Sequence, residues 1–118
     1  MKKFLKGFSF AFSGIWYTLR TQGNMKFHLI ATFVAIGIGF AFNIQKLEWF
    51  FVGLSITLVL AAELFNTAIE RLTDLVTKEI HPLAKVAKDA AAGAVLIFSI
   101  FALITGIAVF GKYIIALF

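Results

Sequence analysis

Five of the six acidic residues in this 118-residue chain, Glu63, Glu70, Asp74, Glu79 and Asp89, fall between positions 63 and 89, and only Glu48 stands apart. At helical periodicity Glu63, Asn66, Glu70 and Asp74 share one face, because residues three, four and seven positions apart return to the same side. Carboxylate and amide oxygens stacked in this way are hard donors that suit a divalent cation. Glu63 is set apart by what precedes it, since Trp49 to Ala62 contains no charge in 14 residues. An acid inside an apolar span costs on the order of 2.5 kcal/mol or more, which makes it a functional candidate by default. A carboxylate so placed can take the proton of a weakly acidic group. Lys88 and Asp89 then open a run of small residues, Ala90 to Ala94 with Gly93 among them, that lets helices approach closely in lipid. If that helix neighbours the first, Lys88 and Asp89 come level with Asn66 and Glu70. The site would then offer carboxylates for a divalent cation, an ammonium for a phosphate and a buried base.

The composition says what must position these residues. The chain is 61% hydrophobic and 14% charged, against roughly 45–50% and about 25% in soluble domains. Neither a compact soluble fold nor a disordered chain has such figures. Its net charge of +5 suits an anionic membrane surface, and nucleic acid is not expected as a partner. With no cysteine, disulfides, thiolate metal sites and cysteine nucleophiles are all excluded.

Three stretches carry the hydrophobicity: Leu29 to Gln45, Trp49 to Ala62 and Ala90 to Phe110, with no charge in 17, 14 and 21 residues. A span needs about 20 residues. The first reaches that length by including Met25 to His28, and the second by running from Leu47 to Ile69 with Glu48 capping its start. The expectation is an all-α integral membrane protein in one domain over residues 1–118. Transmembrane helices are expected at about 25–45, 47–69 and 88–110, with a turn around Asn43 to Lys46. Counting from Leu47 at about 1.5 Å per residue, Glu63 lies roughly 24 Å along its helix, just inside the apolar layer, and Glu70 about 34 Å, among the headgroups. Pro82 is expected in the connecting loop, where a helix can stop.

Residues 1–24 read as an amphipathic surface helix, with Phe4, Phe8, Ile15 and Leu19 on one face and Lys2, Lys6, Ser9, Ser13 and Arg20 roughly opposite. Nine of the 11 basic residues precede the first span or lie between the second and third, and only Lys46 and Lys112 fall on the other side. The positive-inside rule places the nine and the N-terminus in the cytoplasm and the C-terminus outside. No cleavable signal sequence is expected, because the first 24 residues lack an uninterrupted apolar core with a small-residue cleavage site. The run Gly106 to Tyr113 imitates a phosphate-binding loop but has Tyr113 where such loops carry Ser or Thr, and no strand precedes it. Gly37 and Gly39 sit mid-span, where helix packing explains them. His28 and His81 are too isolated for a zinc site.

The run E63-L-F-N-T-A-I-E70, followed by H81-P-L-A-K and A87-K-D-A-A-A-G-A-V95, resembles the prokaryotic diacylglycerol kinase family, including its undecaprenol kinase branch. The likeness covers nearly the whole chain. It implies a homotrimer of three-span subunits in the bacterial cytoplasmic membrane, with composite active sites between neighbouring subunits at the cytoplasmic interface. It also implies transfer of the γ-phosphoryl group of ATP, with Mg²⁺, to a lipid hydroxyl, converting diacylglycerol to phosphatidic acid or undecaprenol to undecaprenyl phosphate. By the same likeness Glu63 is the catalytic base, Asn66 a polar active-site residue, Glu70 a metal-ligating carboxylate and Lys88 with Asp89 the nucleotide-binding pair. Lys3 and Lys6 fall where the family places bases near the nucleotide. The H-P-L-A-K run and short N-terminus look more like the undecaprenol kinase branch.

One position departs from the family pattern: Gln22 stands where a second metal-binding glutamate is common, and glutamine supplies a carbonyl oxygen but no charge. Two other readings of the residues remain at this stage. A small transporter subunit would use Glu63 to carry protons or a cation, but would be expected to hold its acid nearer the midplane and needs no Lys-Asp pair at the interface. A catalytically silent scaffold would keep the fold alone.

Overall fold

The computed structural model describes residues 1–118 as four helices: α1 (Lys2–Thr21), α2 (Gly23–Phe42), α3 (Lys46–Val76) and α4 (Pro82–Ile115). The three later helices are each long and apolar enough to cross a membrane. Their exteriors support that use. Only 15 of 118 residues are buried, six of them polar, while Ile30, Phe33, Phe40, Ile97, Leu103 and Ile107 face outward at more than half exposure. Such an inside-out arrangement leaves apolar surface where lipid replaces water, and encloses polar groups that lipid cannot solvate.

Helices α3 and α4 form the main packed pair, with α2 laid against α3 and α1 against both α2 and α3. The chain leaves α1 at Gln22, whose extended backbone (φ −108°, ψ 118°) ends one helix and starts the next. It leaves α2 at Asn43, which adopts the left-handed conformation (φ 52°, ψ 54°) and returns its backbone N–H to the carbonyls of Gly39 and Phe40. Asparagine tolerates that region better than most residues, and helices often end this way. The expected cap at the start of α3 is present. Gln45 and Glu48 exchange side-chain and backbone hydrogen bonds as a capping box. Glu48 also accepts from the Tyr113 hydroxyl of α4 and pairs with Lys112 at 2.9 Å, while Phe42 of α2 stacks on Tyr113. One carboxylate thereby ties α3 to α4 at the end far from α1. The segment that imitates a phosphate-binding loop is helical through Ile115 and has no loop to offer.

The helices overrun the apolar stretches. α3 extends seven residues past Ile69, and α4 begins six residues before Lys88. At about 1.5 Å per residue α3 is about 46 Å long and α4 about 51 Å, against a hydrocarbon core near 30 Å. Pro82 corrects an expectation. It opens α4 at its first turn, where its missing N–H is no loss, and the His81 side chain accepts from the Leu83 N–H as the cap.

The two mid-span glycines separate. A Cβ at Gly37 would meet nothing within 4 Å, so no contact within this chain requires glycine there. A Cβ at Gly39 would stand 2.5 Å from Cη2 of Trp49, so there α2 and α3 approach as closely as only glycine allows. Gly39→Val is expected to destabilise the detergent-solubilised protein by about 1–3 kcal/mol, the usual cost of overpacking. Thermal unfolding checks this, and an unchanged midpoint would mean that the indole moves aside freely.

Candidate active site

The polar stripe of α3 begins at its deepest member. Glu63 is 1% exposed, the most completely enclosed large side chain in the molecule, and neither of its carboxylate oxygens has a hydrogen-bond partner. Seventeen residues after the start of α3, it lies about 25 Å along the helix axis. Thr67, also buried, donates to the Glu63 backbone carbonyl at 3.0 Å, which occupies that hydroxyl and leaves the carboxylate alone. An ionisable group enclosed without a partner is expensive to keep unless it does chemistry.

One turn on, Asn66 donates from Nδ2 to Glu70 Oε1 at 3.2 Å, while its own Oδ1 is buried and unpaired. This bond sets the Asn66 amide beside the Glu70 carboxylate, two side chains that carry hard oxygen donors. A Mg²⁺ ion fits such a pair, because it takes one or two carboxylate or carbonyl oxygens from protein and completes its shell with phosphates and water. No cluster of three His, Asp or Glu side chains exists that could enclose a cation by itself. Gln22 is half-buried in the break between α1 and α2.

Lys88 meets the last residue of the stripe. Its ammonium donates to Asp74 Oδ1 at 2.6 Å, one helical turn beyond Glu70. The charged pair therefore sits on the extension of the two helices, with both side chains little more than two-fifths exposed. Asp89 pairs with Lys85 on its own helix and faces outward, so it does not join Asn66 and Glu70. Lys3 and Lys6 are exposed on the first turns of α1 and make no ion pair with the stripe. Between α1 and α3 lies a cleft lined by Gly14, Ile15 and Thr18 on one side and Leu64, Thr67 and Ala68 on the other. There Arg71 donates to the Tyr17 hydroxyl at 2.6 Å and covers its ring.

Two residues of this region escape the sequence argument. The spacing of the stripe ends it at Asp74, and the pairing of that residue with Lys88 depends on helical register across two helices. His28, set aside as isolated, comes within 3.8 Å of Glu63. The signal that could have found it is a histidine at the charged end of an apolar stretch, level with an acid in the next one.

The whole arrangement can be compared with known proteins. The model of the family described as Prokaryotic diacylglycerol kinase matches residues 9–110. The chain is 44% identical to an undecaprenol kinase of Bacillus subtilis over 93% of this chain and 89% of that one. It is 38% identical to a diacylglycerol kinase of Synechocystis over 86% of this chain but 59% of the relative, and 29% identical to a diacylglycerol kinase of Pseudomonas aeruginosa over 80% and 76%. The matched region runs from α1 through most of α4 and includes the stripe, Gln22 and Lys88. With a family match over most of its length and three helices fit to span a bilayer, the chain belongs to the prokaryotic diacylglycerol kinase family and is an integral membrane lipid kinase.

Proposed function

We propose that the protein transfers the γ-phosphoryl group of ATP, with Mg²⁺, to the hydroxyl of undecaprenol, forming undecaprenyl phosphate, with diacylglycerol as the poorer acceptor. The observation that carries this reading is the unpartnered, enclosed Glu63 carboxylate one turn from the Asn66–Glu70 oxygens. The Bacillus subtilis relative, 44% identical over 93% of this chain, is named for undecaprenol, which favours that lipid. Glu63 accepts the proton of the lipid hydroxyl as its oxygen attacks the γ-phosphorus. Glu70 and the Asn66 carbonyl would hold Mg²⁺, which when bound neutralises charge on the phosphate oxygens. Phosphoryl transfer asks little else of a protein than positioning and charge compensation.

Lys88 releases Asp74 to meet a phosphate, and Asp89 and Lys85 border the nucleotide. Lys3 and Lys6 make no ion pair with the stripe of their own chain. A homotrimer with sites shared between neighbours gives these two lysines a nucleotide to face. The excess of basic residues around α1 and the α3–α4 connection puts that end in the cytoplasm, where ATP is, and the C-terminus outside the cytoplasmic membrane. In mixed micelles holding equal mole fractions of undecaprenol and diacylglycerol, with Mg²⁺ and γ-labelled ATP, the expected product is mainly labelled undecaprenyl phosphate. Preferential labelling of diacylglycerol would overturn the choice of lipid and leave the kinase standing.

A further inference from the structure

The proton that Glu63 accepts must leave a carboxylate with no hydrogen-bond partner. Only one other titratable group approaches it. His28 Nε2 of α2 stands 3.8 Å from Glu63 Oε2, with the imidazole 15% exposed and the carboxylate 1%. The Phe27 ring lies edge-on to the imidazole at 5.7 Å, and Thr32 donates to the His28 carbonyl at 2.8 Å, so ring and backbone are both held. On its open side His28 borders a cavity of about 300 Å³ between α2, α3 and α4, where it is the sole ionisable group among lining residues such as Ala31, Val59 and Ser99. Of the other charged groups on α2, α3 and the start of α4, Glu70 accepts from Asn66, Arg71 donates to Tyr17, Lys88 pairs with Asp74, and Lys26 is exposed.

Resting on the kinase reading, we infer that His28 is the positioning partner of Glu63 and the group that relieves it of the substrate proton. In the step, the lipid O–H bond breaks and its oxygen bonds to the γ-phosphorus. The bond from that phosphorus to the β–γ bridging oxygen breaks, and its electron pair leaves on ADP. The proton passes to Glu63 Oε2, then to the Nε2 lone pair of neutral His28, and from the resulting imidazolium to water. A separation of 3.8 Å is longer than a hydrogen bond, and catalytic contacts of this kind commonly tighten only with substrate in place. The imidazole is 15% exposed and the carboxylate 1%, so the proton leaves by the histidine side.

The test uses the full-length protein in mixed micelles with undecaprenol, Mg²⁺ and labelled ATP. His28→Ala and His28→Gln are both expected to lose about 10²-fold in kcat, the scale of a general acid–base contribution, with KM for ATP unchanged. Free imidazole, which the cavity admits, should restore His28→Ala and leave His28→Gln slow. In the ¹⁵N spectrum of the wild type, the His28 ring nitrogens should shift on Glu63→Gln. A His28→Gln enzyme within twofold of wild type, a folded His28→Ala without imidazole recovery, or ring nitrogens indifferent to Glu63→Gln would each overturn the inference. Failure of the wild type itself to phosphorylate lipid would instead remove the kinase reading on which it rests.

Discussion

Glu63→Gln lowers kcat for lipid phosphorylation about 10²- to 10⁴-fold, the range that a positioned base contributes, without weakening the fold. The two halves of this expectation have one cause. The carboxylate is enclosed with neither oxygen hydrogen-bonded, so an amide of the same shape gives up no hydrogen bond of the native state. Removing a charge from such a place relieves desolvation instead. The thermal midpoint of the variant should therefore equal or exceed that of the wild type. KM for ATP should stay near its wild-type value, because the interaction that is lost is made in the transition state and not with bound nucleotide. Steady-state kinetics beside thermal unfolding separate the outcomes. A stable variant that keeps kcat within a few-fold would remove Glu63 from the chemistry, and a loss of activity matched by loss of fold would make it structural.

Magnesium dependence carries the second large effect. Glu70→Gln preserves the size of the side chain and its bond from Asn66 Nδ2, yet removes the only charge among the proposed donors. At Mg²⁺ concentrations that saturate the wild type, kcat should fall about 10²-fold, comparable to deleting one electrostatic contact to a transition state. Raising Mg²⁺ should recover part of it, since phosphates and water can fill the shell. Gln22→Glu should move the same titration the other way, lowering the concentration for half-maximal rate. A titration of the two variants and the wild type decides the matter. Curves that superimpose would show that neither position touches the metal.

The contrast between what the residues announced and what the fold added is clearest in α3. The absence of charge from Trp49 to Ala62 was sufficient to place a span, because only lipid accepts that much apolar surface. Glu48 as a cap and Glu63 as an enclosed acid followed from the same count. The end of α3 did not follow, because hydropathy cannot tell a polar helical extension from a loop, and residues 70–76 continue as helix outside the apolar stretch. Register across helices was likewise hidden. Sequence places Lys88 near the stripe, but whether it meets Glu70 or Asp74 turns on one helical turn, which side-chain packing between α3 and α4 decides. His28 and Glu63 are far apart in sequence, and only the packing of α2 on α3 brings them together. Gly39 and Gly37 look alike in the chain, and the indole of Trp49 alone tells them apart.

The central claim is that this chain moves phosphate from a nucleotide to a lipid. It is tested most directly by incubating the purified wild type with γ-labelled ATP, Mg²⁺ and micellar undecaprenol, then counting label in the organic extract. Label should enter the lipid as a phosphomonoester at a rate abolished by chelating Mg²⁺. An extract that stays unlabelled with undecaprenol and with diacylglycerol, from protein shown to be folded, would contradict the claim.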